Sequence, residues 1–113
     1  MLTIDKLKSF GADVNEGLTR CMNNESFYLM LIGKALADKR LELLNEQVAV
    51  KDLDGAFESA HALKGMYANL SLTPLSKPVI EITELLRSRT DTDYSVLLKE
   101  INDQYARLKA LSD

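Results

Sequence analysis

Apolar residues recur at steps of three and four along almost the whole chain, and nowhere do they alternate with the period of two that marks a half-buried strand. A short first helix is expected after Thr3, ending near Gly11, and another from about Asp13 to Arg20. Asn23-Asn24 then offers side-chain acceptors to the free amides of a long helix from near Glu25 to Gln47. The first half of that helix, Phe27-Tyr28-Leu29-Met30-Leu31-Ile32, is apolar on every side. Its second half narrows to Leu36, Leu41, Leu43 and Leu44 among charges. A helix that is apolar all round needs cover there, from the N-terminal helices or from a partner.

Asp52 is a plausible cap for the next helix, where Leu53, Ala56, Phe57, Ala60, Leu63, Tyr67 and Leu70 form one stripe. Thr73-Pro74 reads as a cap followed by a first-turn proline. Pro78 removes a backbone donor one turn later, so that helix either begins at Ser76 or has a distorted first turn. Its stripe is Leu75, Val79, Ile82 and Leu86. Thr90-Asp91-Thr92-Asp93 marks the last break, before a helix lined by Tyr94, Leu97, Ile101, Tyr105, Leu108 and Leu111. Long helices joined by short connections must run antiparallel, because a short loop cannot carry the chain to the far end of a bundle. The expected fold is all-α: an antiparallel up-down four-helix bundle with short N-terminal capping helices, one domain over residues 1–113.

Composition narrows the function. The chain has 113 residues, 46% of them hydrophobic and 27% charged, with a formal net charge of -3. That length suits one core. Seven basic and nine acidic residues fall in positions 1–56, and seven and eight after them, so neither half forms a basic surface for nucleic acid. The longest apolar run, Phe27 to Ile32, is far below the roughly 20 residues needed to span a bilayer. Charge interrupts the N-terminus from Asp5 onward, unlike a signal peptide. The lone Cys21 excludes an internal disulfide and reads as a small buried hydrophobe, so a cytoplasmic setting is expected. Met22, Met30 and Met66 read as core or edge packing. The acidic pairs Asp52/Asp54 and Asp91/Asp93 read as helix starts rather than metal sites. Arg87 and Arg89 read as a solvated basic helix end.

The one histidine carries the chemistry. On a wheel of roughly 100° per residue, the stripe of the 53–70 helix centres near Ala60 and Tyr67, and His61 falls at its edge near mid-helix. There a side chain is rooted by packing yet reaches water. Lys64 and Gly65 lie three and four positions on, with Ala68 beyond, all on the His61 face; Asp54 and Glu58 lie on the same side toward the N-terminus. Gly65 costs the helix about 1 kcal/mol relative to alanine, so its placement suggests that something comes close. Lys64 puts an ammonium one turn from the ring, favouring the neutral, nucleophilic imidazole and able to pair with a phosphoryl group once one is attached. Taken singly, a mid-helix histidine is usually structural, a helix glycine serves close packing, and a lysine is surface. Together on one exposed flank they point to function.

The segment Ala60-His61-Ala62-Leu63-Lys64-Gly65 resembles the H-x-L-K-G signature of histidine-containing phosphotransfer (HPt) domains. The likeness extends through Asn69-Leu70-Ser71-Leu72-Thr73-Pro74-Leu75 and back to Asp52 and Tyr28. It implies a phosphorelay intermediate of two-component signalling. His61 would take a phosphoryl group from a receiver-domain aspartyl phosphate and pass it to another receiver aspartate. Lys64 would stabilise the phosphoryl charge and Gly65 would give the receiver access. The implied partners are response-regulator receiver domains and a hybrid histidine kinase, with no nucleic acid, no membrane insertion and a monomeric chain. The family commonly has glycine where this chain has Ser71; the swap is expected to alter the turn and leave the chemistry alone.

Phosphoryl transfer asks for in-line positioning and charge stabilisation more than covalent help. No cofactor or metal is expected on this chain; a receiver would supply the acidic pocket and Mg²⁺. With no Gly-rich phosphate loop or kinase-type ATP motif, the chain reads as a carrier and not an enzyme with its own turnover. The alternative is a helical adaptor that docks a receiver-like partner without phosphorylation. A hydrolase using His61 as general base lacks a partner nucleophile or metal. The docking surface is expected on the His61 flank and the adjoining helix, taken to be the 25–47 helix through its exposed members between Phe27 and Ala37.

Overall fold

The computed structural model describes residues 1–113 and resolves the helical periodicity into seven helices: α1 (Ile4–Phe10), α2 (Val14–Arg20), α3 (Glu25–Ala37), α4 (Arg40–Ala49), α5 (Leu53–Asn69), α6 (Thr73–Arg87) and α7 (Ser95–Ser112). Side-chain caps fix four of the starts. Thr3 accepts from the Lys6 amide at 3.2 Å, Asp13 from Glu16 at 3.2 Å, Asn24 from Phe27 at 3.0 Å and Asp52 from Gly55 at 3.0 Å. Each satisfies one of the amides that a helix N-terminus leaves free.

The long helix expected from Glu25 to Gln47 is two helices. Asp38 is extended, with φ −70° and ψ 139°, and its carboxylate accepts from the Arg40 amide at 2.8 Å. An aspartate that bonds an amide two residues on competes with helix continuation. The Leu36 carbonyl, which an unbroken helix would pair with that amide, accepts instead from the Tyr105 hydroxyl of α7. The start of α6 also departs from expectation. Thr73 lies inside the first turn, Leu72 is the N-cap, and no side chain caps it. The helix does not wait for Ser76, because the Leu75 and Ser76 amides both donate to the Leu72 carbonyl at 2.9 Å. Pro78 is tolerated one turn later and is buried.

Helix α5 lies between α4 and α6, and α7 packs along α6, giving the antiparallel bundle. Ala56, Ala60, Leu63 and Tyr67 of α5 meet Leu44 of α4, Leu75, Val79, Ile82 and Leu86 of α6, and Ile101 and Leu108 of α7 in one buried core. In the last helix the seam runs through Leu98, with Leu97 only partly covered. Asn45 and Asn102 exchange amide hydrogen bonds at 3.0 Å and tie α4 to α7.

The N-terminal helices close the end of the bundle where α5 stops and α6 begins. The Asp13 amide donates to the Ser71 carbonyl at 2.9 Å, Arg20 to the Ala68 carbonyl at 3.0 Å, and Arg107 of α7 to the Phe10 carbonyl at 2.6 Å. Cover over the apolar half of α3 is partial. Tyr28, Ile32, Ala35 and Leu36 are buried, whereas Phe27 is 43% and Met30 47% exposed. Met22 does not pack at all: it sits in the turn after α2, 90% exposed.

The α5–α6 turn keeps the geometry a glycine would give. Ser71 adopts φ +57°, its amide donates to the Ala68 carbonyl at 3.0 Å, and the Leu72 amide reaches back to Tyr67 at 3.0 Å. This is the left-handed helix ending in which glycine is cheapest. Here the serine hydroxyl donates to Glu16 of α2 at 3.2 Å, so the turn is preserved and not altered as the sequence suggested.

Tyr28 is the pin of this end. Its hydroxyl donates to the Leu70 carbonyl at 2.7 Å, and a Cβ on Gly17 would collide with its ring. Burial, then Cys21, Asp13 and Glu16, push its phenol up to about 12. Because the folded state favours the neutral phenol, this contribution to stability is full below pH 10 and declines as pH rises through 10 toward 12. Tyr28→Phe orphans the buried carbonyl and should cost about 1–2 kcal/mol at pH 7 in denaturant unfolding. The gap between wild type and variant should narrow above pH 10; a constant gap would remove Tyr28 from that role.

Candidate functional site

Helix α5 has 17 residues, and His61 is at its middle, exposed on the flank beside the buried stripe. Its neighbours Ala60 and Leu63 are 0% and 1% exposed, so the backbone under the ring is fixed while the ring faces water. The His61 ring makes no hydrogen bond to the protein, leaving both its nitrogens free. One turn on, a Cβ built on Gly65 meets nothing within 4 Å. Close helix packing therefore does not explain this glycine. It leaves an open notch beside the imidazole. Lys64 is half-buried on the same flank. The three residues singled out in the sequence are brought to one face.

Lys64 is not unpartnered, however. Its ammonium lies 3.9 Å from one carboxylate oxygen of Glu84 in α6, and the Arg87 guanidinium lies 3.4 Å from the other. Glu84 therefore sits between two cations. Asp54, on the N-terminal side of the same flank, pairs with Arg89 at 2.6 Å. The side chains that meet Lys64, Phe57 and Asp54 come from α6 and the turn after it. Helix α4, the second half of the 25–47 segment expected to adjoin this helix, packs along α5, with Gln47 accepting from Ser59 at 2.7 Å. Helix α3 reaches only the far end of α5, where Leu31, Lys34 and Ala35 line a cleft with Met66, Asn69 and Leu70.

Sequence reasoning also missed Phe57. It belongs to the apolar stripe by spacing, but it is only partly buried. Its ring lies near-parallel to His61, with centroids 5.7 Å apart and planes 24° apart. The Arg87 and Arg89 guanidiniums lie over the same ring at 5.0 and 5.4 Å. The two arginines are a part-exposed basic helix end, as expected, and are in addition anchored over the Phe57 ring. The pairing of Phe57 with His61 at a spacing of four was visible in the sequence. The arginines lie some thirty positions further on, and only the α5–α6 turn brings them there.

Histidine, cysteine, aspartate and glutamate nowhere gather in a group of three or more that could hold a metal, and Cys21 is buried where it caps α2. No helix is long and apolar enough to cross a membrane. The fold and this face define a helical bundle that presents one exposed imidazole on the flank of a central helix. Residues 34–111 match the family model for the Hpt domain, and the chain belongs to that family. Phosphotransfer with two-component partners is the work of these domains, which are phosphocarriers and not kinases. The matched segment runs from late α3 through α7 and leaves α1 and α2 outside it. No curated protein and no solved structure matches the chain.

Proposed function

We propose that this chain is a phosphorelay intermediate in which His61 is the phosphorylated residue, and the observation that carries the reading is its bare imidazole beside the open notch at Gly65. A neutral ring nitrogen attacks the phosphorus of a receiver's aspartyl phosphate. The N–P bond forms as the acyl P–O bond breaks, and the electron pair leaves with the aspartate carboxylate. The reverse step, run on a second receiver, returns the imidazole. Mg²⁺ in the receiver's acidic pocket would neutralise the equatorial oxygens during the step. The chain's own contribution is a nucleophile held in place, space for the approaching receiver, and a nearby ammonium.

Lys64 acts on the product side. A phosphoryl group carries about two negative charges, and Lys64 can turn from Glu84 to its oxygens. At a half-exposed position that exchange contributes on the order of 1 kcal/mol or less. A relay intermediate needs this modesty, because it must release the group as readily as it accepts it. The adaptor reading, docking without phosphorylation, uses the same flank but gives no reason for both imidazole nitrogens to be free.

Incubation with a phosphorylated receiver domain and Mg²⁺ should label His61 with an acid-labile, alkali-stable phosphate, and His61→Gln should abolish the label. Stable binding with no label would replace the carrier reading with the adaptor. Gly65→Leu should leave helix content unchanged, since the site is open, yet slow transfer at least tenfold by filling the notch; transfer at the wild-type rate would dismiss the access argument. Lys64→Ala should slow transfer or shorten the phosphohistidine lifetime by about fivefold or less, in line with a surface ion pair. Unchanged rates and lifetimes would count against its role.

A further inference from the structure

We infer that Phe57 is the positioning residue for His61: it sets the orientation of the imidazole by stacking, and Arg87 of α6 and Arg89 of the turn after it hold Phe57 in place. The inference rests on the carrier reading and assigns a part of the site that the motif does not contain. A histidine that must present a free nitrogen to a large partner faces a conflict. A hydrogen bond would orient the ring but would occupy one nitrogen and fix its tautomer. His61 has no such bond. The aromatic group stacked on it is Phe57, one turn earlier on the same helix, at 5.7 Å and 24°. That distance and tilt lie within the range of favourable offset stacking. The stack restrains the ring without touching either nitrogen.

Phe57 is itself only partly buried, so the core alone does not hold it. Its ring lies beneath two guanidiniums, Arg87 at 5.0 Å and Arg89 at 5.4 Å. Each arginine is tethered by a carboxylate, Arg87 by Glu84 at 3.4 Å and Arg89 by Asp54 at 2.6 Å. Arg89 occupies a left-handed turn, φ +51°, where glycine is conformationally cheapest, and the structure uses the side chain that glycine would lack. The result is a relay of contacts from the end of α6 to the imidazole: carboxylate, guanidinium, phenyl ring, histidine. Cation–π attraction needs the face of an aromatic ring, and so does the stack; an aliphatic side chain of similar volume supplies neither.

Stacks of this strength bias a side chain's orientation by roughly two- to tenfold. The experiment compares wild type with Phe57→Leu and Phe57→Tyr, reading thermal stability, His61–residue 57 NOEs with the ring-current shift of the His61 protons, and single-turnover transfer from a phosphorylated receiver. Wild type should show the NOEs and a shifted imidazole. Phe57→Leu should lose the ring-current shift and transfer two- to tenfold more slowly, while Phe57→Tyr restores both. A folded Phe57→Leu protein that transfers at the wild-type rate overturns the inference and leaves the carrier reading standing. Wild type without the NOEs or the shift overturns it even if the leucine variant fails to fold. A wild-type protein that takes no label overturns the carrier reading and this inference together.

Discussion

The structure turns on a difference between two adjacent stripes of one helix. Along Ala56, Ala60, Leu63 and Tyr67, α5 is sealed between α4 and α6, each of these side chains 2% exposed or less. Along His61 and Gly65, one residue away around the helix, it is open. The first stripe makes the second usable. A nucleophile on a loop would be placed by a mobile backbone, whereas here the buried methyl of Ala60 and side chain of Leu63 fix the Cα positions on either side of His61. The alanines also matter by their size, because two of them facing inward let neighbouring helices come close to α5 without lifting its exposed flank. Orientation of the ring is then the one remaining freedom, and a ring stack restrains it without consuming a nitrogen.

The connections at the helix ends serve the same purpose at a conformational cost. Asn23, Lys51, Ser71 and Arg89 all hold positive φ between 51° and 60°, where L residues are strained. Each falls in the turn after a helix and lets the chain reverse in a few residues, which keeps the bundle antiparallel. At two of them the side chain is put to use: Ser71 bonds Glu16 and joins the N-terminal helices to the α5–α6 turn, while Arg89 bonds Asp54 and covers Phe57. Glycine would relax the backbone there and lose those contacts.

What was legible in the sequence follows from which relations are local. The caps at Asn24 and Asp52, the buried stripe of α5 and the grouping of His61, Lys64 and Gly65 all depend on residues within one or two turns of each other, so spacing alone reveals them. The break at Asp38 was not visible, because Ala37-Asp38-Lys39 contains neither glycine nor proline, and one Asx bond together with a distant tyrosine hydroxyl ends the helix. Thr73 resembled a cap, but the Leu72 carbonyl does the organising. Arg87 and Arg89 read as an ordinary basic helix end and Glu84 drew no reading, since nothing in their own neighbourhood says that the turn at Ser71 folds them back onto Lys64, Phe57 and Asp54. The core and the grouping of the candidate site residues were therefore readable, while their second layer of partners required the fold.

On the carrier reading, that second layer explains how the site stays weakly charged around a group that would gain and lose about two negative charges. At rest Glu84 occupies both Lys64 and Arg87, so no bare cation awaits the phosphoryl group. A phosphoryl group on His61 would compete with the carboxylate for the same ammonium, and Lys64, Glu84 and Arg87 are all at least part-exposed to water. Solvent screens each term, and the difference between them is smaller than either. A buried lysine with no counter-ion would bind the phosphoryl group more tightly and return it more slowly. On the carrier reading, a half-solvated lysine shared with a glutamate keeps the phosphorylated and resting states close in energy, and only that near-balance lets one histidine run the transfer in both directions.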